Sequence, residues 1–262
     1  GTNVLNKCAS SSQISSLFSK SKEEVAQIIE QSLTVLFAHR ESRPKPSTDT
    51  KILTSWNALA INAFVDAYIA FGNDSYLREA IECANFLIEN AIDEEFNINR
   101  SYCAGKSCVS GFLDDYAFTA NSFLYLYRVT FDTKWLTYSK KLVDRMVDLF
   151  YHSASGMFYY ASSKSKQLIV RKMELMDGVI PSSSSVAAQV LLDIGRIQNI
   201  PTYVDMASQM VANISDQLTY AGPYVYSWAD CAVKLLLPVA SLHVASQGGN
   251  NVSEIFSYTC MY

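Results

Sequence analysis

Two adjacent carboxylates, Asp114 and Asp115, stand where the irregular stretch ending in Gly111-Phe112-Leu113 gives way to a long apolar segment. Neighbouring residues at a helix start project roughly 100° apart, so one can cap the helix while the other faces a central cavity. In the chemical reading they supply a general base or bind sugar hydroxyls. In the structural reading they are an N-cap and a partner for the helix dipole. A helix N-terminus favours the anion, whereas a neighbouring carboxylate opposes it, so the pair suits a base or a ligand-binder better than a general acid. Glycosidase chemistry asks for a further carboxylate with a raised pKa across the cavity, and Glu174 and Asp177 are the candidates.

The same kind of junction occurs at Leu53-Thr54-Ser55-Trp56-Asn57 and at Pro181-Ser182-Ser183-Ser184-Ser185. At the first, the Trp56 indole can stack on a sugar ring and the Asn57 amide can bind its hydroxyls; a core tryptophan beside a capped helix start is the structural alternative. Tyr116 carries the same two readings. Ser182 and the serines after it can bind an anion through hydroxyls and backbone N–H groups, or serve simply as an N-cap. The three histidines, His39, His152 and His243, lie away from these junctions, so no histidine-pair proton shuttle is visible. Cys103 and Cys108 have no companion pair of Cys or His with metal-ligand spacing, and no dinucleotide, phosphate-loop or nucleophile-elbow motif occurs. The residues therefore point to no cofactor and no metal.

The elements that must hold these junctions follow from hydrophobic period. Ser21 and Glu24 form a capping-box signature for a helix reaching about His39, which Arg43-Pro44-Lys45-Pro46 then ends. Nearly charge-free helices are expected over about 55–71, 115–131 and 183–198. Each is followed by a more amphipathic partner, over about 74–90, 134–150 and 202–215, and a last helix is expected over 226–245, kinked near Pro238. Tyr76-Leu77, Trp135-Leu136 and Tyr203-Val204 hold the same place in each second helix, which marks a repeat of one helical hairpin plus a connector. A helix apolar all round needs burial all round, so alternation of the two kinds gives inner helices wrapped by outer ones. The expected fold is all-α, an incomplete α/α toroid of helical hairpins with short β-hairpin connectors. One such hairpin is expected from Gly156–Tyr160 pairing with Leu168–Lys172. Residues 1–20 read as a loosely ordered segment, 21–246 as the toroid part and 247–262 as a tail.

A formal charge of −4 and a sequence pI of about 5.4 leave no electrostatic footprint for nucleic acid. No apolar run has the length a bilayer demands, and no basic run suits an anionic membrane surface. Neither nucleic acid nor membrane is an expected partner. The start has no signal-peptide pattern, and Gly1 reads as an internal boundary.

Three stretches, in order, resemble the spermatogenesis-associated protein 20 family. They are Arg43-x-x-Pro46 leading to Lys51-Ile-Leu-Thr-Ser-Trp-Asn57, then Gly111-Phe-Leu-Asp-Asp-Tyr-Ala-Phe118, then Asp177-Gly178 with Pro181-Ser182 and Ser185-Val-Ala-Ala188. The resemblance covers residues 35–200. It implies a longer protein in which a thioredoxin-like domain precedes a six-hairpin-glycosidase-like toroid, similar to those of N-acylglucosamine 2-epimerases and glycoside hydrolases. The chain departs from the family pattern at Asp49-Thr50, where two acids are usual, at Ala58, where glycine is usual, and at Ser183-Ser184, where Gly-Asn is usual. These departures remove an acid and an amide but leave helix capping intact. The combined expectation is a toroid that binds, or acts on, a sugar ligand. Asp115 and Asp114 would be its base or hydroxyl ligands, and Trp56, Asn57, Tyr116, Arg43, Asp177 and Ser182 its binding residues. The alternative is a non-catalytic scaffold that supports the thioredoxin-like domain or another protein.

Overall fold

The structure is a computed structural model that describes residues 6, 8–165 and 170–237. It divides into two compact units, Gly1–Asp49 and Thr50–Tyr262. The first unit holds α1 (Ser11–Phe18) and α2 (Lys22–Glu41). A helix thus occupies part of the Ser-rich start that was expected to be loosely ordered. Its capping box explains it: Ser10 Oγ accepts from Gln13 N–H while Gln13 Oε1 accepts from Ser10 N–H. In α2 the same device joins Ser21 and Glu24, as the sequence pattern predicts.

The second unit begins with β1 (Ile52–Leu53) and then repeats a helical hairpin: α3 (Thr54–Phe71) with α4 (Asp74–Asn90), α5 (Leu113–Thr130) with α6 (Thr133–Phe150), and α7 (Ser183–Ile197) with α8 (Pro201–Tyr220). A short 3₁₀ turn, Gly222–Val225, leads into α9 (Tyr226–Leu236). Each hairpin turns through a left-handed residue. Gly72, Phe131 and Asn199 have φ of 63°, 53° and 54°. Asn73 and Asp132 then cap α4 and α6 through side-chain oxygens, and Pro201 opens α8 at a position that needs no N–H donor.

Helices α3, α5, α7 and α9 pack side by side in that order, with α4, α6 and α8 behind them. The nearly charge-free α5 and α7 are buried around almost their whole circumference, and Phe118, Phe123, Leu124, Val190 and Leu191 from them centre the core. By contrast α3, equally poor in charge, buries only one face and exposes Trp56 and Phe71. It has one inner neighbour in this unit, α5, where α5 and α7 each have two. Gly195 lets α8 approach α7, since a Cβ there would lie 2.9 Å from Val204 Cγ2.

Two small sheets join the hairpins. β2 (Asn99–Cys103) and β3 (Lys106–Ser110) pair antiparallel across Ala104 and Gly105. Both turn residues have positive φ, 49° and 79°, the signature of a type I′ hairpin turn. β1 adds on the other side of β2. β4 (Tyr151–His152) pairs with β5 (Met157–Phe158). That corrects the expected partner for the Gly156–Tyr160 strand: chain leaving α6 turns through Gly156, at φ 65°, and pairs with itself before reaching residue 170. Among the described residues the two stretches are linked by the Tyr160 N–H donating to the Lys172 carbonyl at 2.8 Å and by the Arg171 guanidinium 4.1 Å over the Tyr159 ring. Leu168, Ile169, Pro238, His243 and the 247–262 tail lie outside the described residues.

Candidate functional site

The N-termini of the inner helices are brought together by carboxylates that each serve two helices. Asp115, third in α5, reaches back so that Oδ2 accepts the Phe112 N–H at 2.9 Å, the reciprocal half of a capping box. Its Oδ1 accepts the Ser55 N–H of α3 at 3.2 Å. Asp177 repeats the arrangement: Oδ1 accepts the Ser182 N–H at the start of α7 (2.8 Å) and Oδ2 the Ser227 N–H of α9 (2.9 Å). In both cases one oxygen takes the N-cap amide of one inner helix, and the other takes the second-residue amide of its neighbour. Helix starts leave such amides without intrahelical partners, and a buried carboxylate satisfies them with charge-assisted bonds.

Asp114 and Asp115 share Arg100, from β2. Its Nη1 lies 3.1 and 3.2 Å from the two Asp114 oxygens and 3.1 Å from Asp115 Oδ2. The Arg100 guanidinium rests 5.1 Å over the Phe112 ring, which stacks on Tyr160 at 5.1 Å and 8° between planes. The Tyr160 hydroxyl also reaches Asp114. Burial and then the adjacent Asp114 carboxylate push Asp115 up to about 7, against the pull of the Phe112 amide, Arg100 and the Ser55 amide. Burial likewise raises Asp114, with Arg100 opposing it. Burial thus joins the neighbouring carboxylate in opposing the helix start, which favours the anion. Burial pushes Tyr160 up as well.

The other sequence-derived candidates separate. Trp56 is 63% exposed on α3. The Asn57 amide donates to the Leu53 carbonyl at 2.8 Å and accepts from Cys83 Sγ at 3.6 Å, so it fastens its own helix start. Tyr116 is a core residue: its hydroxyl accepts the Ile98 N–H at 2.9 Å and its ring packs edge-on to Phe150. Ser182 is the N-cap of α7, its Oγ accepting the Ser185 N–H at 3.2 Å, and Glu174 takes the Ser183 N–H. Arg43 belongs to the first unit, where its N–H donates to the Arg40 carbonyl.

A cavity of ≈ 410 Å³ lies between the inner helices, and none of the nine candidates named from the sequence, Glu174 included, lines it. Its wall carries Asn62 and Asp66 from α3, Asn121 and Tyr125 from α5, Gln189 from α7 and Asp230 from α9. Residues 62/66 and 121/125 are four apart, one turn of the same helix face. Asp114 and Asp115 do not line this cavity, and their oxygens turn toward the helix starts and Arg100. Asn62 and Asp66 were legible as polar interruptions of an apolar helix, and Asp66 as the sole charge on it. Asn121 and Tyr125 had no such signal, as nothing in sequence tells which side of a helix buried all round faces a cavity. Asn62 Oδ1 is buried without a hydrogen-bond partner. Among the described residues, no group of His, Cys, Asp and Glu is arranged to hold a metal ion.

Comparison with known proteins gives the following relationships. No family model matches the chain. An uncharacterized Caenorhabditis elegans protein, B0495.5, is 30% identical over 227 residues, a match covering 82% of this chain and 30% of that protein. Human spermatogenesis-associated protein 20 is 27% identical over 228 residues, covering 83% of this chain and 29% of its own length, and the rat protein matches to the same extent. The chain thus spans about 30% of the length of the curated relatives it matches. Among solved structures, a GH76 alpha-mannanase from Bacteroides thetaiotaomicron superposes with a TM-score of 0.58 at 15% identity, over 73% of this chain and 54% of that one. A cellobiose 2-epimerase from Bacillus thermoamylovorans gives 0.53 at 16% identity, over 64% and 45%. The unsaturated glucuronyl hydrolase of Bacillus sp. GL1 gives 0.51 at 15% identity, over 66% and 49%. At these identities the likeness establishes the fold, an α/α toroid of helical hairpins.

Proposed function

We propose that the toroid unit of this chain, which is homologous to spermatogenesis-associated protein 20 along most of its length, binds a carbohydrate in the cavity between α3, α5, α7 and α9. The observation that carries the reading is the wall of the ≈ 410 Å³ cavity, where Asn121 and Tyr125 stand with the apolar Leu59, and where Gln189 is held by its Nε2 donating to the Ser227 carbonyl at 2.7 Å. Convergent polar groups on an apolar, concave surface are what fix a sugar, whose hydroxyls need partners and whose C–H faces need apolar or aromatic cover. Support comes also from the solved relatives in fold, which by their descriptions are a mannanase, a 2-epimerase and a glucuronyl hydrolase. In this reading Asp115 and Asp177 hold the helix starts that frame the cavity, and Asp114 with Arg100 braces Asp115.

Calorimetric titration of the chain with neutral mono- and disaccharides tests it. One of them binds, and Asn121→Ala weakens that binding about tenfold, the loss of roughly one well-made hydrogen bond to ligand, with the unfolding midpoint little changed. Binding that Asn121→Ala and Tyr125→Ala both leave intact would place the ligand elsewhere.

A second reading has its own observation. The carboxylates at the inner-helix starts are occupied by backbone amides and Arg100, which suits a non-catalytic scaffold for another domain, such as the thioredoxin-like domain the family resemblance implies. A chain that unfolds cooperatively but that no sugar stabilises would favour it.

A further inference from the structure

We propose that Gln189 determines which way round a sugar sits in the cavity: its side-chain oxygen is a locked hydrogen-bond acceptor that demands a donating hydroxyl from the ligand. The inference rests on the carbohydrate-binding reading and adds to it the residue that selects the hydroxyl pattern.

From Ser183 to Leu192, Gln189 is the one residue of α7 that is not buried, and it opens onto the cavity between the inner helices. Its amide is held in one orientation. Nε2 donates to the Ser227 carbonyl at 2.7 Å, and a carbonyl only accepts, so the amide cannot turn round and place its oxygen there. Ser227 is fixed in turn, because its N–H donates to the buried Asp177 at 2.9 Å while the other Asp177 oxygen takes the Ser182 N–H. A line of hydrogen bonds thus runs from the start of α7 through the first turn of α9 to the Gln189 amide. Oε1, at the far end of that line, takes no hydrogen bond from a described residue and is not enclosed by the protein.

An amide oxygen can only accept, so the locked amide asks one thing of a ligand, a donor. The Asn121 amide makes no hydrogen bond to a described residue and can turn to donate or to accept, and the Tyr125 hydroxyl can rotate. These two groups adapt to a ligand where Gln189 does not. A site built around a fixed acceptor discriminates against an analogue that lacks the matching donor, because the acceptor is then left unpaired.

The test is calorimetric titration of the chain with glucose and mannose and with the full monodeoxy and monofluoro series of each. Fluorine keeps much of the size and polarity of a hydroxyl but has no proton to donate. The expected result is one ring position at which the deoxy and fluoro compounds each bind about tenfold more weakly than the parent, the loss of one well-made hydrogen bond. Gln189→Met, similar in size but without the amide, brings that ratio close to unity, whereas Asn121→Ala lowers affinity and keeps the ratio. Gln189→Glu, ionised at about pH 8, retains an acceptor but cannot donate to the Ser227 carbonyl, and so binds the parent sugar about tenfold more weakly. A parent sugar that loses nothing to fluorine at any position, a ratio that survives Gln189→Met, or full affinity in Gln189→Glu overturns the assignment, while binding that depends on Asn121 keeps the cavity as a sugar site. Failure of glucose and mannose alike to bind overturns both.

Discussion

Asp115 is fully buried, and yet its oxygens receive two backbone amides from two different helices together with Arg100. Replacing it by alanine strands the amides of Phe112 and Ser55 at two helix starts, and the expected loss is about 2–3 kcal/mol in denaturant unfolding. Asp177→Ala breaks the equivalent clasp between α7 and α9 and carries a loss of the same order. The raised Asp115 carboxyl also sets a pH dependence. Between the ordinary carboxyl value and about 7, the folded chain holds more protons than the unfolded chain. Stability from this group is therefore fully present below that window and declines as the pH rises through it. Unfolding midpoints measured across the window should fall with pH in the unaltered chain and flatten in Asp115→Asn; a rise with pH would contradict the assignment. The importance of Asp114 and Asp115 was legible from their place at a helix start, but their partners were not. Arg100 lies fourteen residues from Asp114, across the β2–β3 hairpin, and the Ser55 amide sixty residues from Asp115. Only tertiary structure joins them.

The hairpin helices were legible to within about two residues at most ends, because period, caps and breakers agree in each hairpin, although α8 runs on to Tyr220 and α1 carried no expectation of a helix. The repeat of a left-handed residue and a cap or proline gives the α3–α4, α5–α6 and α7–α8 turns a local cause. The short strands were less legible. The pairing of Asn99–Cys103 with Lys106–Ser110 depends on Ala104 adopting positive φ, which its residue type does not signal. Close approaches between elements give a direct test. A Cβ at Gly111 would lie 2.9 Å from the Ile98 carbonyl oxygen and 3.3 Å from Asp115 Cβ, and one at Gly195 would meet Val204. Gly111→Ala and Gly195→Ala should each cost about 1–3 kcal/mol in equilibrium unfolding. Gly178→Ala, where nothing lies within 4 Å, should cost far less. Three equal values would show that helix approach does not decide these positions.

Across the second unit, the inner layer α3–α5–α7–α9 is pinned at its N-terminal ends by Asp115 and Asp177, and α3 and α5 line the cavity with side chains one or more turns further along. On the α7–α9 side the two roles meet, since Ser227 both donates its amide to Asp177 and lines the cavity. Sequence reading drew attention to the framing residues, because helix starts carry recognisable signals; the cavity wall carries few. The central claim is that the wall binds a sugar. Its most direct test is the thermal unfolding midpoint of the chain, with and without a panel of neutral sugars, measured in parallel on Asn121→Ala. A ligand that binds only the folded state at a hundred times its Kd stabilises it by about 2.7 kcal/mol. The account predicts that at least one sugar raises the midpoint of the unaltered chain and that Asn121→Ala loses most of the rise. A cooperative transition that no sugar moves, or a rise that Asn121→Ala keeps in full, would contradict it.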